Sequence, residues 1–315
     1  MVKPKRDNSA ASVPVNLTLF DTARAPAPVP PPPVPSPIRD ENDPRILVGT
    51  SAFTAAGWEG TFYPAGMKPA DYLRHYATRF RTVEVDSTFY GTPKAERVRS
   101  WYDKTPPDFV FAAKVPQVIT HEKILTDCDA ELAEFLQTME LLGEKLGPLL
   151  LQFGYFASSV LKNGAQFLAR LASFLKRLPE FCARPHRLVV EIRNRTWLDR
   201  PLLDTLREHK VALALTDHSF MPRPWELKKD LDLITADFAY VRWLGDRKGI
   251  EEITTRWDQT VVDRRDDLLH WVELFRDLRR RNLQVYAYAN NHYAGNGPGT
   301  VKLFWNLYED KRDGH

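Results

Sequence analysis

The stretch LVVEIRNRTW (188–197) begins as an apolar run and then places Glu191 and Arg193 two residues apart, on one face of an extended strand. Charge is costly in an apolar interior, so either this segment surfaces there or the two groups serve a site. The pattern recurs along the chain. Glu84 and Asp86 fall in TVEVD, Lys114 ends FAAK, Gln152 ends LLLQ, Asp217 ends LALTD, Arg242 ends AYVR, and Asn290 and Asn291 follow YAYA.

These residue types admit four chemistries. Glu84, Glu191 and Asp217 are candidate catalytic carboxylates: burial raises a glutamate's pKa and a neighbouring Lys114 or Arg193 lowers it, so one acid and one base could coexist. The bland alternative is a set of ion pairs closing an interior, but buried ion pairs seldom improve on apolar packing. Lys114, Arg193 and Arg242 would together bind a phosphate or carboxylate, with GNGPG (295–299) as a further anion site on backbone N–H groups. Gln152, Asn290 and Asn291 would hydrogen-bond the substrate. A covalent role for Lys114 as a Schiff-base amine needs a desolvated neutral amine, and the charged role is preferred. Ser51 in GTSAF is not a nucleophile elbow.

Metal chemistry is the weaker reading. Glu84, Asp86, His121, Glu191, Asp217, His218 and His292 include the right ligand types, yet there is no HxH or HExxH spacing and the interleaved cations would repel a divalent ion. No cofactor is expected, and a divalent metal is kept as the lesser alternative. Trp58, Phe62, Tyr63, Phe89, Tyr90 and Trp197 either wall a pocket or form a small core under loops. Tyr63, Tyr90 and Trp197, with His121 as a capping loop residue, are read as substrate contacts.

The elements that must position these groups alternate regularly. Eight apolar or β-branched runs, at 46–52, 82–88, 109–115, 147–153, 187–193, 211–217, 238–244 and 283–291, read as strands. Amphipathic segments lie between several of them: in 263–281, Leu268, Trp271, Val272, Phe275 and Leu278 fall on one helical face. Eight strand–helix units over about 245 residues predict an α/β fold, a (β/α)8 TIM-type barrel, with a doubly wound open sheet as the alternative. In such a barrel the C-terminal strand ends form the active-site face, where the polar residues above cluster.

The chain has 315 residues, 43% hydrophobic and 27% charged, with a net charge of +3, too slight to demand a polyanionic partner, so nucleic acid is not the default. Cys128 and Cys182 have neither CxxC spacing nor the density of a disulfide scaffold, which fits reduced thiols and a cytoplasmic location. No apolar run approaches a membrane span, and no membrane partner is expected. Residues 1–44 include APAPVPPPPVPSP, which can bury almost nothing and predicts a disordered proline-rich tail ahead of a barrel domain at 45–310. Its PxxP spacing offers a minor adaptor contact.

Taken in order, ILVGTSAFTAAGWEGTFYP, TVEVDSTFYGTP, PDFVFAAKVPQVITHEKIL, LGPLLLQF, VVEIRNRTW, YVRWLG and YAYANNHYAGNGP resemble the domain-of-unknown-function-72, or YecE-like, family over roughly residues 46–308. The resemblance implies a TIM-type barrel and a shared pocket, and leaves the reaction open. Ala52-Phe53 stand where that family commonly has Gly-Trp, and Leu244 where it often has His. The expectation is an enzyme, whether hydrolase, isomerase or lyase, acting on a small anionic or sugar-like substrate. The rival is a non-catalytic protein binding a metabolite or nucleic-acid end in the same mouth.

Overall fold

The computed structural model describes residues 43–310, and the proline-rich tail with its PxxP spacing lies outside them, apart from Asp43 and Pro44. Eight parallel strands form a barrel: β1 (Ile46–Thr50), β2 (Thr82–Val85), β3 (Val110–Lys114), β4 (Leu146–Gln152), β5 (Leu188–Glu191), β6 (Ala212–His218), β7 (Phe238–Gly245) and β8 (Gln284–Ala289). Each predicted run overlaps one of them, and β4, β6 and β7 extend one residue beyond the predicted ranges. Helices fill the connections: α1 (Tyr72–Arg79), α2 (Ala95–Asp103), α3 (Asp129–Met139), α4 (Gly164–Arg177), α5 (Arg200–Glu208), α6 (Pro224–Leu227), α7 (Arg247–Ile253), α8 (Arg265–Arg280), α9 (Asn291–Ala294) and α10 (Gly297–Asp310).

The predicted face of α8 is the buried one: Leu268, Trp271, Val272, Phe275 and Leu278 all pack inward. Burying a side chain such as Phe275 contributes about 3 kcal/mol. Asn163 and Asp199 cap α4 and α5, their side chains accepting from Gln166 N and Leu202 N, so these helices start where a short polar side chain satisfies an otherwise orphaned N–H.

Hydrogen-bonded pairing runs from β2 through β3 to β8 and on to β1. Between β1 and β2 the described residues form no ladder, and the seam is closed differently. The Tyr76 hydroxyl of α1 accepts from Thr50 N at 2.9 Å and donates to Thr82 O at 3.1 Å, standing in for a strand-to-strand bond. Gly49 makes the close approach feasible, because a Cβ there would lie 2.1 Å from the Thr82 carbonyl oxygen.

Alternation along the strands divides the apolar residues into two cores. Outward side chains pack beneath the helices, while Leu47, Leu150, Val189, Phe238, Tyr240 and Tyr288 fill the barrel interior. The tyrosines bring hydroxyls into that interior: Tyr288 meets Thr82 Oγ1 at 2.8 Å, and Tyr240 donates to Glu84 Oε2 at 2.5 Å. Tyr240 is thus where the plugged interior gives way to the charged mouth.

Candidate functional site

Arg242 lies two residues beyond Tyr240 on β7 and therefore points the same way. Its guanidinium bonds Glu84 Oε1 of β2 at 2.6 Å, Glu191 Oε2 of β5 at 2.8 Å and Asp86 Oδ1 at 3.3 Å. Glu191 is held a second time, its Oε1 accepting from Arg193 Nε at 2.7 Å. These side chains form one network across the barrel axis, in which Glu84, Glu191 and Arg242 are almost fully buried.

The two glutamates ionise very differently. Burial pushes Glu84 up to about 7, with the Asp86 charge adding to the effect against Arg242 and Tyr240. Burial would also raise Glu191, but Arg193 and Arg242 overcome it and hold that carboxyl down to about 2. Glu191 is a fixed anion near neutrality, whereas Glu84 titrates there.

Above this floor opens a cleft of about 450 Å³. A larger groove of about 590 Å³ on the outer wall, between residues 228–234 and α8, is edged by charges that pair among themselves, such as Arg281 with Asp232. The mouth cleft carries the unsatisfied chemistry. Its polar groups alternate by strand: Lys114, Arg193 and Arg242 lie on or just beyond β3, β5 and β7, while Gln152, His218 and Asn290 lie on or just beyond β4, β6 and β8. Asp86, beyond β2, supplies the carboxylate that faces the cleft.

Lys114 is largely buried, with a side chain 12% exposed. Its ammonium sits 3.7 Å from Asp86 Oδ1 and 4.2 Å from the centre of the Phe89 ring, and it makes no hydrogen bond among the described residues. Burial lowers its pKa, with Asp86 opposing and Arg242 reinforcing that shift. His218 is pushed down to about 4 by burial and by the Arg193 charge. Gly245 ends β7 with φ of +70°, and a Cβ there would lie 2.5 Å from the His292 carbonyl oxygen, so the turn beside the cleft calls for glycine.

The expected site residues separate into groups. Lys114, Gln152, Arg193, Arg242, Asn290 and Tyr90 line the cleft. Glu84 and Glu191 lie beneath it, bonded to Arg242. His121 stands at its edge, 5.0 Å from the Phe89 ring, with Nδ1 2.8 Å from Thr120 Oγ1.

Four others are placed away from the mouth. Asp217 faces the helical layer, accepting from Trp271 Nε1 at 2.9 Å and Tyr293 Oη at 3.0 Å and pairing with Arg223. The inward members of β6 are Ala212, Ala214, Thr216 and His218, so Asp217 shares the outward parity of Leu213 and Leu215. Tyr63 is buried, stacked on Tyr72 at 4.1 Å, with its hydroxyl donating to Phe53 O. Trp197 packs on Phe167 at 5.1 Å in another small core under a loop. Asn291 Oδ1 caps Gly297 N at 2.8 Å.

The GNGPG loop also departs from the anion reading. Its N–H groups at Gly297 and Gly299 are satisfied by the Asn291 and Asn296 side chains, and Gly295, Asn296, Gly297 and Pro298 are buried. The sequence reading left out Tyr240, although its place two residues before Arg242 was the available signal. His218 and His292 are expected from the sequence only as metal-ligand types, with His292 otherwise following the asparagines onto the surface. Both line the cleft, as does Leu244, which stands where the resembling family often carries histidine.

Among the described residues no group of three or more His, Cys, Asp or Glu side chains is arranged to hold a metal ion. None of their helices is long and apolar enough to cross a membrane.

Fold and mouth together define a (β/α)8 barrel with a charged, ligand-sized cleft at the C-terminal strand ends. Residues 47–314 match the family model described as protein of unknown function DUF72, and the chain belongs to that family. The Escherichia coli K12 protein YecE is 40% identical over 107 residues, covering 34% of this chain and 37% of the relative. Bacillus subtilis YunF is 28% identical over 156 residues, 47% of this chain and 52% of that one. The matched stretches thus span about a third to a half of those relatives. A DUF72 family crystal structure from Thermotoga maritima superposes with a TM-score of 0.63 at 25% identity, covering 85% of this chain and 99% of that one. One from Enterococcus faecalis gives 0.62 at 20% identity, covering 84% and 95%, and supports the fold alone.

Proposed function

We propose that the mouth is the active site of an enzyme acting on a small phosphate- or carboxylate-bearing substrate by carboxylate acid–base chemistry. The observation that carries this reading is Lys114. An ammonium 12% exposed, with no hydrogen-bond acceptor among the described residues and its carboxylate neighbour 3.7 Å away, is costly unless a ligand anion completes its surroundings. Arg193 adds a guanidinium beside the same cleft, anchored through its Nε to Glu191. Asp86 is the carboxylate placed to exchange a proton with a bound molecule, while Glu84 and Glu191 hold Arg242 in register behind it.

The rival reading, a non-catalytic binder of a metabolite or nucleic-acid end, is favoured by one feature: Glu84 and Glu191 are both committed to Arg242. The test is a thermal-shift screen of inorganic phosphate, phosphorylated metabolites and organic acids, followed by turnover assays on each stabilising ligand. Stabilisation by anions that is lost in Lys114→Met supports the anion site. Turnover that disappears in Asp86→Asn while binding persists supports the enzyme, and binding without turnover of any stabilising ligand supports the binder. Absence of stabilisation by every anion overturns the proposal.

A further inference from the structure

The cleft contains a second kind of donor that anion binding does not use. His218 Nδ1 accepts from the backbone N–H of Phe220 at 3.1 Å, so in the neutral ring the proton resides on Nε2. Nε2 makes no hydrogen bond among the described residues, and His218, on β6, lines the cleft with Arg193 just beyond β5 and Arg242 on β7. Those guanidiniums disfavour a second ring proton, and burial acts in the same direction.

A neutral N–H donor suits an uncharged acceptor oxygen, whereas ammonium and guanidinium groups suit an anion. On the neighbouring even-numbered strands, Gln152 has a side-chain amide that makes no hydrogen bond among the described residues. Asn290 donates through Nδ2 to Ser51 Oγ at 2.9 Å and accepts the N–H of His292 with Oδ1 at 2.9 Å, which fixes its amide orientation at the edge of the cleft. Cationic and neutral donors therefore alternate around one cavity.

We infer that His218, through Nε2–H, reads an uncharged hydroxyl or carbonyl oxygen next to the anionic group, with Gln152 a further neutral donor lining the same cleft, and that the cleft takes ligands of the sugar-phosphate class. This rests on the anion reading of Lys114 and Arg193 and deepens it. A simple alkyl phosphate satisfies the cationic strands and leaves the neutral ones unmatched, and each unmatched donor weakens its relative affinity by about tenfold.

The test titrates the full chain calorimetrically with n-propyl phosphate, glycerol 3-phosphate and dihydroxyacetone phosphate, and records the histidine ring nitrogens by ¹⁵N NMR at pH 7. The expected result is about tenfold or greater preference for the two oxygenated ligands over propyl phosphate. That ratio should collapse toward one in His218→Ala and be partly retained in His218→Gln, whose amide keeps a donor. The NMR signature expected for His218 in the unsubstituted protein is the neutral Nε2–H tautomer, a readout that needs no variant to fold. Binding of propyl phosphate without any preference, a preference that survives in His218→Ala, or an imidazolium or Nδ1–H ring at pH 7 overturns the inference and leaves the anion site standing. Failure of all three phosphates to bind overturns the anion reading, and the sugar-phosphate assignment with it.

Discussion

Glu84 and Glu191 share one guanidinium, with Arg242 Nη2 2.6 Å from the first and Nη1 2.8 Å from the second, yet they ionise at opposite ends of the acid range. Three buried charges balanced in this way stay together only as a set. Arg242→Met removes the cation, leaving Glu84 without its main partner and Glu191 with Arg193 alone, which should cost about 3–5 kcal/mol in urea unfolding. Adding Glu84→Gln to Arg242→Met should recover part of that loss. A double variant no more stable than the single one would show that the Glu84 charge is not what makes the single change costly.

The same pair sets a pH dependence. Glu84 has its carboxyl raised from 4.5 to about 7, so between these values the unfolded chain has released a proton that the folded chain still holds. Stability therefore falls as pH rises through that window. Glu191 acts with the opposite sign: lowered from 4.5 to about 2, its contribution is complete above 4.5 and is lost as pH falls through 2. Unfolding midpoints at pH 5 and pH 8 should differ less in Glu84→Gln than in the unsubstituted protein. An undiminished difference would place the titration elsewhere.

Asp217 separates strand parity from chemistry. Its carboxylate accepts from Trp271 and Tyr293 behind the barrel wall. Asp217→Ala orphans two buried donors and should cost about 2–4 kcal/mol while leaving phosphate affinity at the mouth within about twofold. Calorimetric titration with n-propyl phosphate alongside urea unfolding checks both halves. A large loss of affinity with little loss of stability would return Asp217 to the site.

The sequence shows the eight strands because each is an apolar run bounded by turn residues, and it shows the buried face of α8 because five apolar residues repeat at helical spacing. It shows the mouth cations for a related reason: Lys114, Arg193 and Arg242 interrupt or end apolar strands, where a charge needs a purpose. Parity on β6 was also present in the sequence, since Leu213, Leu215 and Asp217 alternate with Ala212, Ala214 and Thr216, and the bulkier set belongs under the helices. Other features depend on tertiary contacts that local spacing does not encode. Tyr63 and Trp197 are enclosed by loop residues, and the GNGPG amides find side-chain caps in Asn291 and Asn296. His218 becomes informative once the Phe220 N–H is known to occupy its Nδ1.

The seam between β1 and β2 offers a prediction about the barrel itself. Closing it requires Gly49, whose added Cβ would meet the Thr82 carbonyl oxygen at 2.1 Å, and the Tyr76 hydroxyl, which serves Thr50 N and Thr82 O together. Backbone cannot yield as a flexible side chain can, so Gly49→Ala must push β1 away from β2 and should cost about 3 kcal/mol. Tyr76→Phe leaves the packing of the ring intact but orphans a buried N–H and a buried carbonyl, and about 2–3 kcal/mol should be lost. Because both changes act on one gap, the pair should be less than additive in a double-mutant cycle. Amide exchange at Thr50 gives the local readout: its N–H should be protected in the unsubstituted protein and exchange faster in both variants. Full additivity with unchanged exchange at Thr50 would mean that the seam is held by the surrounding core rather than by the hydroxyl that bridges it.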